Sequence, residues 1–399
     1  MQEDSSSSAT HHNDTLGALL PQLVSDDPNL ATRFEDAGLE PSQIDDIRQL
    51  DQLPVQSKDE LVAARVEQSR HWTPRRIFQS PGPIYEAQPP GADPWRWAQA
   101  LDSAGLRPAD VVLNCFGYHL SPAGAMFDEA IVAAGATVLP GGIGSQQLQV
   151  QAIRDLQIRG YVGLPSYLKA LIDVAAEAGM SPADFPVQYA LVTAEPLPED
   201  LRAALQQWVP SVRMAYGSAE AGLISYEDGT GPGMVEGPQI DVQVCDLGTG
   251  EPLTSGQGEV VVTLVRPQAP LLRFGTGDLS AWVTDDNGDP VTDSKGRRRL
   301  VGILGRTGEA VKVRGMFLHP RQAEAVFQDV AGLTRFRFVI TRQNHRDAVC
   351  CEYVSASDQS LDDEIQDRIR TALRFNAEVQ QVTELPADGP VLVDERSWN

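Results

Sequence analysis

Hydrophobic and polar positions change period twice along this chain. Between residues 111 and 217, short apolar runs alternate with stretches whose apolar positions recur at helical spacing. VVLNCF (111–116), ATVLP (136–140), YVGL (161–164), YALVTA (189–194) and VRMAYG (212–217) read as strands. AGAMFDEAIVAAG after Pro122, QQLQVQAIRDLQ, SYLKALIDVAAEA with Ser166 as its cap, and LPEDLRAALQQW read as the helices between them. Such alternation predicts parallel strands joined by right-handed crossovers. In sheets of that kind ligands bind beyond the carboxyl ends of the strands. TAEP (193–196) and YGSAE (216–220) each follow a strand, so both are expected at one sheet edge.

From 233 to 283 the pattern turns β-like. IDVQVCD, GEVVVTLV and LLRFGTGDLSAWV alternate or run apolar with Gly and Pro between them, and DDNGDPVTDSKGRRR (285–299) reads as a turn-rich hairpin or loop. Upstream, residues 29–70 look helical and broken, with Ser57 and Glu60 spaced as a capping box. Beyond 305, VKVRG, RFRFVITR, AVCCEYV and VQQVTEL read as strands. PRQAEAVFQDV, with Pro320 in its first turn, reads as a helix; so does SLDDEIQDRIRTALRF, which Ser360 can cap and in which Leu361, Ile365, Ile369 and Leu373 make one stripe. The expected fold class is therefore α/β. A large N-terminal domain (29–304) has mainly parallel sheets flanked by helices, with an α/β core at 111–217 and a β subdomain at 233–283. A small α+β domain (305–399) follows. MQEDSSSSATHHND is polar and low in complexity, so residues 1–28 are expected to form a disordered tail that includes His11 and His12.

Composition narrows the function classes. The 399 residues carry a net charge of −23, with four lysines against 28 arginines. Such a surface repels nucleic acid and anionic membrane, so any anion site must be built locally. No apolar run reaches a membrane span and no signal-peptide pattern is present, which gives a cytoplasmic expectation. Cys115, Cys245, Cys350 and Cys351 lack metal-ligand spacing, so no zinc is expected; the vicinal pair would point to opposite faces of a strand.

Four segments stand in order: TAEP, YGSAE, FGTGD (274–278) and GRTGEAVKVRG (305–315). With FGYHLSPAGAMF, GLPSYLKALI and PLLRFGTGD, they make the chain, from LDQLPVQSKDEL onward, resemble the adenylate-forming (AMP-binding) superfamily in its phenylacetate-CoA ligase branch. The resemblance implies an acid-thiol ligase using ATP/AMP, Mg²⁺ and coenzyme A. A carboxylate attacks the α-phosphate of ATP, and CoA thiolate then displaces AMP. It places Ala194, Glu195 and Pro196 at the adenine border and Tyr216 and Gly217 beside them. Ser218 falls at the α-phosphate, Glu220 on Mg²⁺, Asp278 on the ribose hydroxyls, and Arg306 on ribose or phosphate. It makes Gly308 a hinge about which a mobile C-terminal domain swings, Gly315 a wall of the CoA tunnel, and Lys312 or Arg314 a contact for CoA phosphates. Phe116, Tyr118 and His119 become candidates for the acyl pocket, and a homodimer is implied. Each position also has a structural reading: Asp278 closing a turn, Glu220 capping a helix, Tyr216 and Phe116 packing in the core.

Two segments depart from the family pattern. Where the resemblance expects a run of small donors around the β- and γ-phosphates, RIFQSPGPIYEAQPPG (76–91) keeps Ser80 and Gly82 but adds Pro81, Pro83 and Glu86. Near the C-terminus Gly389 precedes Pro390 where the family has a lysine, and no lysine follows Lys312. An impaired adenylation step is the expectation. The rival classes are a non-catalytic homologue retaining a nucleotide or acyl-CoA pocket, and an enzyme of the thioester half-reaction only.

Overall fold

The computed structural model describes residues 7–71, 73–80, 84–307, 311–313, 316–318, 320–327, 329–343, 346–356, 360–373, 375–386 and 389–396. Contacts divide the chain into a unit up to Thr307 and a second from Gly308.

The large unit opens with α1 (Ser7–Asp26) and α2 (Pro28–Asp36). The expected disordered tail is thus corrected over residues 7–28; residues 1–6 lie outside the described residues. Leu16, Leu20, Leu23 and Val24 recur at helical spacing and are buried with Phe34, Leu50 and Leu272, so the apolar stripe outweighs the polar start. Asp27 caps α2 by accepting from Asn29 N–H at 3.0 Å. At α3 (Lys58–Gln68), Ser57 N–H donates to Glu60 Oε2 (2.7 Å) and Glu60 N–H to Ser57 Oγ (3.3 Å), so the expected capping box is formed. An antiparallel hairpin follows, β1 (Ile77–Ser80) and β2 (Ile84–Ala87), then α4 (Ala98–Ala104).

The alternating region forms as its periodicity predicts. β3 (Val111–Asn114), α5 (Ala123–Ala133), β4 (Thr137–Pro140), α6 (Gln146–Asp155), β5 (Gly160–Gly163), α7 (Pro165–Glu177), β6 (Tyr189–Val192), α8 (Glu199–Gln206) and β7 (Ser211–Ser218) follow in turn. Ser166 is not the cap of α7: Pro165 takes the first helical position and Leu164 the cap, because proline's fixed φ suits a first turn. β8 (Gly222–Tyr226), β9 (Met234–Glu236), β10 (Asp241–Cys245), β11 (Gln257–Leu264), β12 (Leu271–Ala281), β13 (Arg299–Leu300) and β14 (Gly305–Arg306) complete the unit. The main sheet runs β13-β9-β8-β7-β6-β5-β3-β4, parallel from β7 to β4 and antiparallel beyond β7. Trp97, Leu101, Phe127 and Ile131 cover one face; Ile153, Leu168, Leu171 and Leu201 cover the other. Burial on both faces explains why these strands read as continuous apolar runs. A second, antiparallel sheet, β10-β11-β12-β14, closes a separate core of Val242, Val260, Phe274 and Tyr216.

The second unit contains β15 (Val311–Val313), β16 (Met316–Leu318), α9 (Pro320–Phe327), β17 (Leu333–Gln343), β18 (Arg346–Ser355), α10 (Asp362–Arg368), β19 (Glu378–Gln381) and β20 (Leu392–Asp394). Its sheet runs β19-β18-β17-β20, with both outer pairings parallel. Ile365, Ile369 and Leu373 are buried against Phe327, Phe338 and Tyr353, and Ser360 Oγ accepts from Asp362 N–H at 3.1 Å. Cys351 is buried while Cys350 is only partly so, the alternation a strand imposes.

Candidate functional site

The carboxyl edge of the parallel sheet is where the motifs meet. β6 and β7 are parallel neighbours, so TAEP leaves the sheet beside YGSAE. β7 runs past its parallel partners as far as Ser218 and turns straight into β8, with Gly217 opposite Leu223 and Ser218 opposite Gly222. The strand therefore holds Tyr216 and Gly217, as VRMAYG predicts, and runs one residue further to take in Ser218. Glycine is required twice here. A Cβ on Gly217 would sit 2.3 Å from Gly222 O and 2.7 Å from the Trp97 ring. Gly222 has φ +73°, and a Cβ there would sit 2.6 Å from Trp95 O. In TAEP, Ala194 holds φ 73°, a region costly for a residue with a Cβ and enriched at functional turns.

FGTGD arrives from the other sheet. Between Gly275 and Leu279, β12 carries two more residues than the facing part of β11, so the strand bulges at Thr276–Asp278. Asp278 pairs in register with Arg306 of β14, and its Oδ1 lies 3.0 Å from Arg306 Nε. Tyr216 donates its hydroxyl to Asp278 Oδ2 at 2.8 Å. Burial first, and the neighbouring Asp278 charge second, push the Tyr216 phenol well above its ordinary range, so it remains a donor. Three residues from three distant segments thus join at one carboxylate.

Glu220 is not part of that junction. It is 2% exposed, and Lys58 Nζ, from the first turn of α3, lies 2.9 Å from its Oε1. Burial, the largest single influence, pushes the Glu220 carboxyl up, but the charge and hydrogen bond of Lys58, together with hydrogen bonds from its own backbone and Ser218, leave it below the usual carboxylate range. Ser218 Oγ accepts from Ala221 N–H at 3.1 Å, closing the turn. Glu195 is half-buried, with Oε2 3.4 Å from Ser166 N–H. The expected pocket residues diverge. Phe116 is buried and stacks on Phe127, with centroids 4.9 Å apart, whereas Tyr118 and His119 are exposed and Tyr118 donates to Asp128 Oδ1 at 2.5 Å. Phe116 packs in the core because it continues the inward row of β3. Gly308, Gly315, Arg314 and the Lys312 side chain lie outside the described residues.

The segment 76–91 is a strand hairpin. Ile77 pairs with Ala87 and Ser80 with Ile84; the tip, residues 81–83, lies outside the described residues. Gln79 N–H donates to Leu120 O at 2.8 Å, and the Ser80 hydroxyl is buried. Glu86 is 2% exposed, and burial, only partly offset by Arg65, raises its carboxyl to about 7. Arg65 is itself buried and donates to Ala269 O at 3.1 Å. Lys58, Arg65 and Arg266 surround this corner without a motif to mark them. Lys58 carried one signal, as one of only four lysines placed in a helix first turn, where a cation is not the favoured charge.

No protein-family model matches the chain. It is 30% identical over 265 residues to a phenylacetate-coenzyme A ligase of Thermus thermophilus, covering 63% of this chain and 57% of that protein. A Pseudomonas putida enzyme of the same name is 30% identical over 241 residues, 57% of this chain and 52% of the enzyme. The Escherichia coli enzyme is 25% identical over 354 residues, 81% of this chain and 76% of the enzyme. The chain thus spans about half the length of the curated relatives it matches first. Among solved structures, a 2-hydroxyisobutyryl-CoA ligase bound to 2-HIB-AMP and CoA superposes with a TM-score of 0.84 at 21% identity, covering 99% of this chain and 91% of that one. An amide bond synthetase of Marinactinospora thermotolerans superposes at 0.57 and 16% identity, covering 78% and 65%. At those identities the superpositions establish the fold.

Proposed function

We propose that the chain is a member of the adenylate-forming superfamily, in its phenylacetate-CoA ligase-like branch, and that it converts a carboxylic acid to an acyl-adenylate and passes the acyl group to CoA, a reading supported by its similarity to phenylacetate-coenzyme A ligases. The observation carrying this reading is the Tyr216–Asp278–Arg306 junction. Each Asp278 oxygen has a lone pair beyond the one its protein partner uses, which suits a pair of ribose hydroxyls. Arg306 beside it offers a rigid cationic fork for ribose or phosphate. Ala194–Pro196 and Tyr216 supply the neighbouring adenine border. In the first half-reaction the carboxylate oxygen bonds to the α-phosphorus and pyrophosphate leaves. In the second the thiolate bonds to the acyl carbon and AMP leaves. Lys312 and Gly315 are proposed on the CoA side, and Gly308 as the hinge.

At Glu220, where the resemblance expects Mg²⁺, the Lys58 ammonium stands 2.9 Å from Oε1 and supplies a competing positive charge. No step is routed through such a metal; Lys58 is the positive charge at that point. The second reading, in which the chain carries out only the thioester step on a ready-made adenylate, has the β1–β2 hairpin with its buried Glu86 as its one supporting observation and ranks behind the full ligase.

Carboxylate-dependent exchange of labelled pyrophosphate into ATP, over aryl and short aliphatic acids at low and high salt, separates the readings. Exchange supports the full ligase. Absence of exchange, with CoA-dependent consumption of a synthetic acyl-adenylate, selects the second reading. Absence of both overturns the proposal.

A further inference from the structure

A cavity of about 780 Å³ opens on the large unit, between α1, the segment 89–99, the loop 237–239, the end of β11 and the turn before β13. Of its lining residues only Arg266, which also borders the Glu86–Glu220 corner, belongs to the site described above; the Tyr216–Asp278–Arg306 junction contributes none. Its volume is that of a small-molecule pocket, and Pro89, Pro90, Pro94 and Pro238 make much of its wall. Four cations line it, Arg96, Arg266, Lys295 and Arg297, the last of them paired with Asp293 at 2.8 Å. The carboxylate that faces them, Asp93, is committed to backbone, accepting from Trp97 N–H at 3.0 Å and Ala98 N–H at 2.7 Å.

The two arginines of the inner wall are incompletely satisfied. Arg96 is 8% exposed; its Nη2 donates to Ala221 O (2.7 Å) and Leu223 O (2.9 Å), and its Nε is buried without a hydrogen-bond partner among the described residues. Arg266 donates from Nε to Ala269 O (3.0 Å) and from Nη2 to Glu220 O (2.9 Å), and its Nη1 is buried with none. A buried guanidinium with an unused donor is costly unless a ligand takes it. Burial lowers both groups, Arg96 to about 10 against the partial offset of Asp93, and Arg266 to about 9, with Arg65 and Arg96 lowering it further and Glu86 offsetting part of the fall.

We propose that this cavity is a second ligand site, taking a small phosphate-bearing molecule whose phosphate sits against Arg96 and Arg266 and whose organic part lies along the proline wall. A phosphate dianion answers two neighbouring guanidiniums at once, where a carboxylate answers one, and its oxygens match their fork geometry. The protein's net charge of −23 makes adventitious anion binding unfavourable, so a cationic concavity here is a selective feature. Through Arg96 and Arg266 the site touches the carbonyls of Glu220, Ala221 and Leu223, which belong to the turn carrying Ser218.

The test is titration calorimetry of the full chain with phenyl phosphate at fixed ionic strength, with and without saturating AMP. Saturable binding is expected, indifferent to AMP, with the Kd raised at least tenfold by Lys295→Glu at the exposed rim and by Arg266→Gln within. If Arg266→Gln does not fold, Lys295→Glu alone decides. The proposal is overturned if the wild type shows no saturable binding, if AMP displaces the probe, or if the folded variants bind within twofold of wild type.

Discussion

Asp278 shows how much one carboxylate holds at the residue scale: it receives the Tyr216 hydroxyl and the Arg306 guanidinium on separate oxygens. Hydrogen bonds to a charged group are worth about 1.5–3 kcal/mol, so Asp278→Asn is expected to raise the KM for ATP roughly 10–100-fold in the exchange assay. Tyr216→Phe, which leaves Arg306 in place, should act more weakly; equal effects would argue against a ribose contact. Lys58→Met strands the buried Glu220 charge, and urea unfolding at pH 8 should register a loss near the low end of the ~3–5 kcal/mol typical of broken buried pairs, recovered by adding Glu220→Gln. The pH sign changes with it. In the wild type Glu220 sits below its ordinary range, so its contribution is present above that range and fades as pH falls through the lowered value. Without Lys58, burial alone raises it, and stability should instead fall as pH rises. Glu86 already behaves that way. The folded chain holds its proton up to about 7, so stability declines as pH rises from the ordinary carboxylate value to 7, by about 3 kcal/mol. Glu86→Gln should therefore melt higher than wild type at pH 8 and alongside it at pH 5. A residual slope is expected from Glu236, which burial also raises to about 7; an equal gap at both pH values would contradict the assignment.

At the scale of elements, the β7–β8 hairpin and the β12 bulge position the chemistry, and both depend on backbone that side chains would block. Gly222→Ala adds a Cβ at positive φ against Trp95 O. It should cost about 1–3 kcal/mol as overpacking and, by moving the turn, depress exchange activity more than it depresses KM; a variant as stable and active as wild type would show that the turn tolerates displacement. Elements were the most legible part of the sequence, because alternation and helical spacing report a local geometry each segment adopts largely by itself. The misreadings were local contests that longer-range packing decided. α1 formed because Leu16, Leu20, Leu23 and Val24 found Phe34, Leu50 and Leu272 to cover them. β7 ran through Ser218 because β8 was there to pair with it.

For the whole molecule, the net charge of −23 is the property with the longest reach. Raising salt from 0.1 to 1 M shortens the screening length from about 10 to about 3 Å, so the melting temperature should rise with NaCl as self-repulsion is relieved; a fall would mean that exposed ion pairs outweigh it. The same field makes each local cationic cluster a built feature, whether the Lys58–Arg65 corner or the arginine cavity. The order of the motifs, the alternating α/β region, the change to β pattern and the family resemblance were all determined by the sequence, since each is a property of neighbours along the chain. Only the tertiary structure decided that Lys58 faces Glu220, that Tyr216 and Arg306 share Asp278, and that Glu86 is buried. Those outcomes depend on which distant charges become close once water is excluded, and a one-dimensional pattern does not encode the distance that sets that energy.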